Sequence, residues 1–183
     1  NSTITNDGAI TNARSIINND TITNNGKIDN YNTITNNQNG TITNNGRIYN
    51  ATNGTIENKG SIDNYDTITN NNIITINNSC ILSNYGTINN NNSLVVYGTL
   101  NNDNGSTINN NRNGDVIGEV SYSGTINNKG TINNQGIFYK SVFSGSFTGK
   151  PDSITLTDGL FGILSSTVNN VAEIIVPKNT ELK

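Results

Sequence analysis

Four acidic residues lie near one another in the repeating part of the chain and are the first candidates for chemistry. They are Asp29, Glu57, Asp63 and Asp66. Two carboxylates held on adjacent strands could act as a general acid and a general base. The chain contains no His, which removes the commonest catalytic base. Because the acids are sparse and fall at outward strand or corner positions, we expect solvated surface charges and no catalytic residues.

Metal binding and cofactor chemistry have little support in the sequence. Asp103 and Asp115, with the Asn residues around them, could offer oxygen ligands to Ca²⁺. No loop follows a calcium-binding pattern such as Gly-Gly-x-Gly-x-Asp, so we expect no metal site and no cofactor. Cys80 is the single cysteine, which excludes an internal disulfide, and we expect it to be a small buried side chain.

Tyrosines recur at one position of the repeat and are the candidates for ligand binding. Tyr31, Tyr65, Tyr85 and Tyr97 each follow the position that closes a repeat. Tyr65 and Tyr85 are separated by twenty residues, which we interpret below as one coil, so we expect their rings to stack on one edge. An aromatic edge of this kind could bind sugar rings or a partner protein, although packing at a corner is the simpler interpretation.

Composition limits the classes of protein that this chain can be. Hydrophobic residues make up 31% and charged residues 13% of the 183 residues, and Asn makes up roughly a quarter. A chain this poor in both apolar and charged groups must be held together largely by backbone and amide hydrogen bonds. Its ten Lys and Arg residues are scattered and its net charge is -3, which argues against nucleic-acid binding. No apolar run reaches the roughly 20 residues of a membrane-spanning helix.

The elements that position these residues follow from a short repeat. A small residue, Ser or Thr, Ile, any residue and Asn recur about twenty times, as in Gly40-Thr41-Ile42-Thr43-Asn44. The apolar positions are separated by even steps, mostly of six residues, so they stay on one face of successive strands. The Gly and Asn residues between the strands suit corners. Three such sides predict an all-β fold, a parallel β-solenoid with triangular coils of about 18–20 residues.

Two kinds of inward column are predicted from this geometry. The apolar columns contain Ile42, Ile62 and Leu82, which are spaced by twenty residues, and we also assign Ile76 and Val116 to them. The Asn two residues after each Ile should stack along the axis and bond to its neighbours. The predicted ladder residues are Asn24, Asn30, Asn36, Asn44, Asn50, Asn58, Asn64, Asn70 and Asn84.

The outward positions of the strands raise one further alternative. Thr-Ile-Thr triplets present Thr-x-Thr outward, and a flat array of these is the signature of ice-binding solenoids. The triplets at Ile4, Ile22 and Ile42 should lie on one side of the coil. The next member is Ser61-Ile62-Asp63, which breaks the array, so ice binding is a minor hypothesis.

The composition changes near residue 134. Asn becomes rare, and all four Phe residues lie beyond this point. Residues 153–157 and 172–176 have strand patterns, and residues 160–171 suit a short helix or a loop. Because an open solenoid end exposes strand edges, we divide the chain into β-solenoid repeats (1–134) and a C-terminal cap or subunit-docking segment (135–183).

The phrase Gly-Thr-Ile-x-Asn-x-Gly-x-Ile resembles the Asn/Thr-rich β-solenoid repeats of haemagglutinin-type and autotransporter adhesins. Similar repeats occur in archaeal adhesin-like proteins and in fibrous proteins of large viruses. The resemblance covers residues 1 to about 134. The hexapeptide acyltransferases are similar in period, but this chain departs from them in its two-residue insertions and its lack of His.

The resemblance implies a non-enzymatic structural or adhesive solenoid, located outside the cell, on a cell surface or on a virion. A second hypothesis is a subunit of a viral particle or a self-assembling filament, in which 135–183 mediates self-association or binds a neighbouring structural protein. A third is a polysaccharide-active enzyme, since pectin-cleaving enzymes use acidic clusters on β-helices. A surface glycan is the candidate ligand, and Tyr65 and Tyr85 are its candidate binding residues.

Overall fold

The computed structural model describes the backbone of residues 3–113, 116–117 and 119–135 and of five later strands. Side chains are described for residues 3–111 and 119–135. Within this part of the chain there is no helix, and every long-range sheet pairing is parallel. Strands are numbered in chain order below, and they form three sheets that wrap around one axis.

Sheet 1 contains eight strands, which are β1 (Thr3–Asn6), β4 (Thr21–Asn24), β7 (Thr41–Asn44), β10 (Ser61–Asn64), β13 (Ile81–Asn84), β16 (Thr99–Asn102), β21 (Thr125–Asn128) and β24 (Ser146–Gly149). Sheet 2 contains nine, which are β2 (Ala9–Asn12), β5 (Lys27–Asn30), β8 (Arg47–Asn50), β11 (Thr67–Asn70), β14 (Thr87–Asn90), β17 (Thr107–Asn110), β22 (Thr131–Asn134), β25 (Ile154–Leu156) and β27 (Ile174–Ile175). Sheet 3 contains eight, which are β3 (Ser15–Asn18), β6 (Thr33–Asn36), β9 (Thr55–Asn58), β12 (Ile73–Ile76), β15 (Ser93–Val96), β20 (Glu119–Tyr122), β23 (Ile137–Lys140) and β26 (Leu160–Gly162).

β18 (Arg112–Asn113) and β19 (Val116–Ile117) pair only with each other. When these two are left out of the count, each interior strand up to β23 pairs with the third strand before it and the third strand after it, and three consecutive strands make one coil. The predicted triangular β-solenoid is confirmed. Register is the same in neighbouring coils: Ile42 pairs with Ile62, and Ile62 with Leu82. Most strands are four residues long and alternate half-buried and buried positions, as expected when Thr faces out and Ile and Asn face in.

The apolar core is a set of three aliphatic columns, one from each sheet. A narrow cavity of about 170 Å³ lies between them and is lined only by Ile and Leu. The first described coil has a neighbouring coil on one side only, so Ile4 is 45% exposed. From the second coil onward the column residues are at most 3% exposed.

Two assignments to the apolar columns were wrong. Register pairs Ile74, not Ile76, with Ile56 of the preceding coil, and Ile76 pairs with Asn58. Val120, not Val116, pairs with Leu94. Val116 lies instead in β19 (Val116–Ile117), which pairs antiparallel with the inserted strand β18 (Arg112–Asn113). In the run Ile73-Ile74-Thr75-Ile76, both Ile74 and Ile76 face inward. Alternation alone could not show which of the two belongs to the apolar column.

The Asn ladders are confirmed, and they run inside the solenoid next to the corners. In sheet 1 the Nδ2 of each ladder Asn donates to the Oδ1 of the next, at 2.6–2.8 Å from Asn6 to Asn128. Sheet 2 has the same chain of bonds from Asn12 to Asn134. In sheet 3 the ladder ends at Asn58, because Ile76, Val96 and Tyr122 take the following positions.

Beyond residue 134 the described strands continue the same three sheets. β24, β25 and β26 pair in parallel with β21, β22 and β23. The Asn ladders of sheets 1 and 2 end where register places Gly149 and Leu156 opposite Asn128 and Asn134. The predicted helix or loop at 160–171 begins instead with the strand Leu160–Gly162, and the rest of that segment lies outside the described residues.

Candidate ligand-binding face

The two predicted ligand-binding tyrosines lie together on one external edge. Tyr65 and Tyr85 follow the last residues of β10 and β13, at the corner between sheets 1 and 2. Their ring centroids are 4.8 Å apart and their planes differ by 10°, so the rings stack along the solenoid axis at the repeat of the coils. The two side chains are 53% and 44% exposed. Stacking covers one face of each ring, and the residues at the same position of the adjoining coils are Asn45 beside Tyr65 and Asp103 beside Tyr85.

This stacked pair belongs to an external column that changes its chemistry along the rod. One residue per coil occupies the position after the sheet 1 ladder Asn: Asp7, Asn25, Asn45, Tyr65, Tyr85, Asp103 and Lys129. Side-chain hydrogen bonds join the first three members. Asn25 Nδ2 donates to Asp7 Oδ1 at 2.7 Å, and Asn45 Nδ2 donates to Asn25 Oδ1 at 2.9 Å. The last two form an ion pair of 3.3 Å. The column therefore holds an amide section, an aromatic section and an ionic section in order.

The other two tyrosines of this repeat position do not join the pair. Tyr31 follows β5 at the corner between sheets 2 and 3, and Tyr97 follows β15 at the corner between sheets 3 and 1. Both are exposed, but each lies on a different edge of the triangle from Tyr65 and Tyr85. The shared repeat position predicts exposure, whereas only the twenty-residue spacing predicts a stack.

The residues predicted as structural lie directly beneath this edge. Ile42, Ile62 and Leu82 are at most 2% exposed and stack in register in sheet 1. Asn44, Asn64 and Asn84 are completely buried at the ends of the same strands. Asn64 Nδ2 donates to Asp66 O at 3.1 Å and to Thr87 O at 3.2 Å, so the ladder also fixes the backbone that carries the tyrosines.

A notch opens at the opposite ends of the same strands, and sequence reasoning did not identify it. The corners at residues 37–40 and 77–80 each contain two more residues than the corner at 59–60, which lies one coil from both. Both long corners are closed by turn bonds, Gly40 N to Asn37 O at 2.7 Å and Cys80 N to Asn77 O at 3.1 Å. Since coils repeat at about 4.8 Å, the long corners stand about 10 Å apart with the short corner as a floor between them.

The notch has a volume of about 750 Å³ and a mixed polar lining. Gln38, Asn39 and Asn78 project from the two long corners and are exposed. Thr41 and Ser61 lie at its base, with their hydroxyl oxygens 3.4 Å apart. Steps of eight residues alternate with a step of six at this corner, and this alternation is present in the sequence. It indicates a notch only after each insertion has been assigned to one of the three corners.

Backbone geometry constrains one wall and the floor of this notch. Ser79 has a φ of 64°, which favours Gly, and the equivalent turn residue of another long corner, Gly105, has a φ of 79°. The Gly60 floor has no room for a side chain, because a Cβ there would contact the backbone oxygen of Gly40. Cys80 is a free thiol and is buried, as predicted, and burial raises the pKa of its thiol. A buried thiol with a raised pKa is a weak nucleophile at neutral pH.

The four candidate carboxylates are not brought together. Glu57, Asp29 and Asp63 lie on strands of three different sheets, and Asp66 lies in the corner after β10. Asp29 is 8% exposed and accepts from Arg47 at 2.7 Å and from Lys27 at 3.1 Å. Glu57 pairs with Lys59 at 3.1 Å. Three-sided winding places residues that are only six apart, such as Glu57 and Asp63, on different sheets.

The structure describes one of the two metal candidates. Asp103 is paired with Lys129, and Asp115 lies outside the described residues. Among the residues that the structure describes, no three His, Cys, Asp or Glu side chains are grouped as they would be around a metal ion. The described residues also contain no helix long and apolar enough to span a membrane.

No family model, no curated protein and no solved structure matches this chain. The fold is nonetheless clear, a parallel β-solenoid with internal Asn ladders. Two external features of the described residues are candidates for ligand binding, the stacked tyrosine pair and the notch. They lie at opposite ends of β10 and β13, on one face of the rod.

Proposed function

We propose that this chain is a non-enzymatic structural or adhesive β-solenoid, exposed on a cell or virion surface or built into a fibre. The observation that carries this proposal is the constant register of successive coils, seen from Ile22 through Ile42, Ile62 and Leu82 to Leu100. Constant register turns each external residue of one coil into a member of a row along the rod. A row of identical groups suits the presentation of a surface to a repeating partner.

Rigidity is the first property that supports this role. Each interior coil is joined to each of its two neighbours by three parallel strand pairings. Buried Asn side chains add hydrogen bonds between coils at the corners. Such a stack has few backbone groups free for a protease to bind in extended form. A stiff polar rod that resists cleavage is what a surface-exposed adhesive or structural element requires.

The outer face of sheet 2 illustrates the repeated surface. Thr67, Thr87, Thr107 and Thr131 pair in one row, and Asn89, Asn109 and Asn133 form the row beside it. The amides of the second row are joined at 2.8 Å and 2.8 Å. Interlinked amides hold their outward positions more firmly than free side chains would. The outward Thr rows of sheet 1 are shorter, since Ser61 and Asp63 follow Thr41 and Thr43.

The test is the behaviour of the purified full chain in solution. Light scattering and negative-stain imaging should show a rod, and the native chain should resist trypsin and thermolysin. Incubation with soluble polysaccharides should release no new reducing ends. Rapid digestion of the native chain by trypsin and thermolysin would contradict a structural role. Release of reducing ends would favour the polysaccharide-active enzyme in its place.

A further inference from the structure

We infer that the notch and the stacked tyrosines are two ends of one binding site for an uncharged glycan chain. This inference rests on the proposed adhesive function and gives it a location. The site lies on sheet 1, across β10 and β13, with the notch at the start of these strands and Tyr65 and Tyr85 at their ends. It combines a polar cleft with an aromatic platform, the two groups that sugars need from a protein.

The first step of the argument is the shape of the cleft. It is open to solvent, and the backbones of its two walls are about 10 Å apart, as two coil spacings require. Its volume is about 750 Å³. The floor is formed by Gly60 and Ser61, where backbone and a small side chain allow a ligand to approach closely. A single polymer chain can lie in such a cleft and leave along the sheet, whereas a flat macromolecular surface would bridge it without entering.

The second step is the chemistry of the lining. Gln38, Asn39 and Asn78 supply amides, which both donate and accept, and Thr41 and Ser61 supply hydroxyls. Lys59 is the one charged residue of the lining, and its ammonium is paired with Glu57 at 3.1 Å. A lining that donates and accepts, without a free charge, complements hydroxyl groups better than carboxylates or phosphates.

The third step is the continuity from the cleft to the aromatic pair. From Ser61 to Tyr65 the chain advances four residues, which is about 13 Å in a strand. The outward residue between them on β10 is Asp63, which is half-buried, and its neighbour Ser83 on β13 is buried. The carboxylate of Asp63 would repel an anionic polymer on this path and accept hydrogen bonds from a neutral one. At the end of the path, the exposed edges of the Tyr65 and Tyr85 rings offer apolar surface to a sugar ring.

The experiment is affinity electrophoresis of the full chain in native gels that contain dextran, glucomannan or mixed-linkage β-glucan, with polygalacturonate as the anionic comparison. The site variants are Ser61→Lys, which fills the floor of the notch, and the double variant Tyr65→Ala/Tyr85→Ala. The matched controls are Ser93→Lys, at the equivalent half-buried outward position of sheet 3, and Tyr31→Ala, at the equivalent corner position on another edge. Circular dichroism verifies that all four variants are folded.

We expect at least one neutral polysaccharide to retard the chain, both site variants to bind at least tenfold more weakly, and both controls to bind normally. Retardation that the controls abolish and the site variants retain would overturn the site but leave an adhesive function in place. Retardation by polygalacturonate alone would also overturn it, since the ligand class would be wrong. Absence of retardation in every gel would overturn the site, and the solution measurements above would then decide the proposed function separately.

Discussion

The side-chain nitrogen of Asn44 lies 2.8 Å from the side-chain oxygen of Asn64, one coil further along the solenoid. The same nitrogen donates to the backbone oxygens of Gly46 at 2.7 Å and Thr67 at 3.1 Å. One buried amide therefore fixes its own corner, the corner of the next coil and the spacing between them. Because the pattern repeats from Asn6 to Asn128, each ladder residue supports two neighbours.

Replacing a central ladder residue should destabilise the fold strongly. Asn64→Ala leaves the completely buried side-chain oxygen of Asn84 without its donor. It also removes the donor to the backbone oxygens of Asp66 and Thr87. Each unsatisfied buried group costs about 1–3 kcal/mol, so we expect the free energy of unfolding to fall by about 3 kcal/mol or more. Urea denaturation followed by circular dichroism measures it.

The matched control is Asn45→Ala, one residue from Asn44 and also part of an amide row. Asn45 Nδ2 donates to Asn25 Oδ1 at 2.9 Å, but this pair is exposed. Water can replace an exposed bond, so we expect a loss of less than about 0.5 kcal/mol. Equal losses in the two variants would mean that burial of the ladder does not determine its contribution.

The ladders and the solenoid were predictable because both follow from spacing. Even steps between Ile residues fix the inward face, and sums of about twenty residues fix the coil. The sequence could not show where the ladder of sheet 3 ends. Ile74 and Ile76 are both inward in β12, and only the pairing of Ile76 with Asn58 reveals which of them replaces an amide.

Ser79 offers a stabilising substitution. Its φ of 64° lies in the left-handed region, which costs a side-chain-bearing residue about 1 kcal/mol relative to Gly. We expect Ser79→Gly to raise the free energy of unfolding by up to about 1 kcal/mol, and with it the melting temperature.

The reciprocal change tests the same cause at another corner. Gly105 has a φ of 79°, and a Cβ there would meet no atom within 4 Å. Gly105→Ser should therefore lower stability by about 1 kcal/mol through backbone strain alone. A gain in the Gly105 variant, or a loss in the Ser79 variant, would show that the turn conformation differs from the one described.

Tyr122 should make stability fall at alkaline pH. It is 3% exposed at the sheet 3 ladder position, and burial raises its pKa to about 12, against about 10 for an unfolded tyrosine. Below pH 10 both states keep the proton. Between pH 10 and 12 the unfolded state loses it first, so the free energy of unfolding should fall by up to about 1.4 kcal/mol per pH unit.

Tyr122→Phe removes this one titration and leaves an aromatic ring in the same position. Denaturation curves at intervals from pH 8 to 12 should then show a shallower decline than the native chain, whatever the absolute stability of the variant. Parallel curves for the two proteins would show that Tyr122 ionises equally in the folded and unfolded states.

The two parts of the candidate site differ in how far the sequence could predict them. The Tyr65–Tyr85 stack follows from the coil length alone. The rings are 4.8 Å apart, which is the spacing of successive coils. The notch depends instead on which corner receives each two-residue insertion. Residues 37–40 and 77–80 fall on the same corner because two coils separate them, whereas the insertions at 51–54 and 103–106 fall on the other two corners.

A charge in an apolar column should unfold several coils together. Ile62 is 2% exposed and lies between Ile42 and Leu82 in sheet 1. Ile62→Asp removes buried apolar surface and places a carboxylate where no cation can reach it, so its cost should exceed about 4 kcal/mol. Because neighbouring coils stabilise one another, the loss should spread along the stack. Hydrogen exchange should show protection falling from β7 to β13, whereas Ile62→Val should cost about 1 kcal/mol and leave protection in place. Unchanged thermal unfolding of the Asp variant would rule out the inward column.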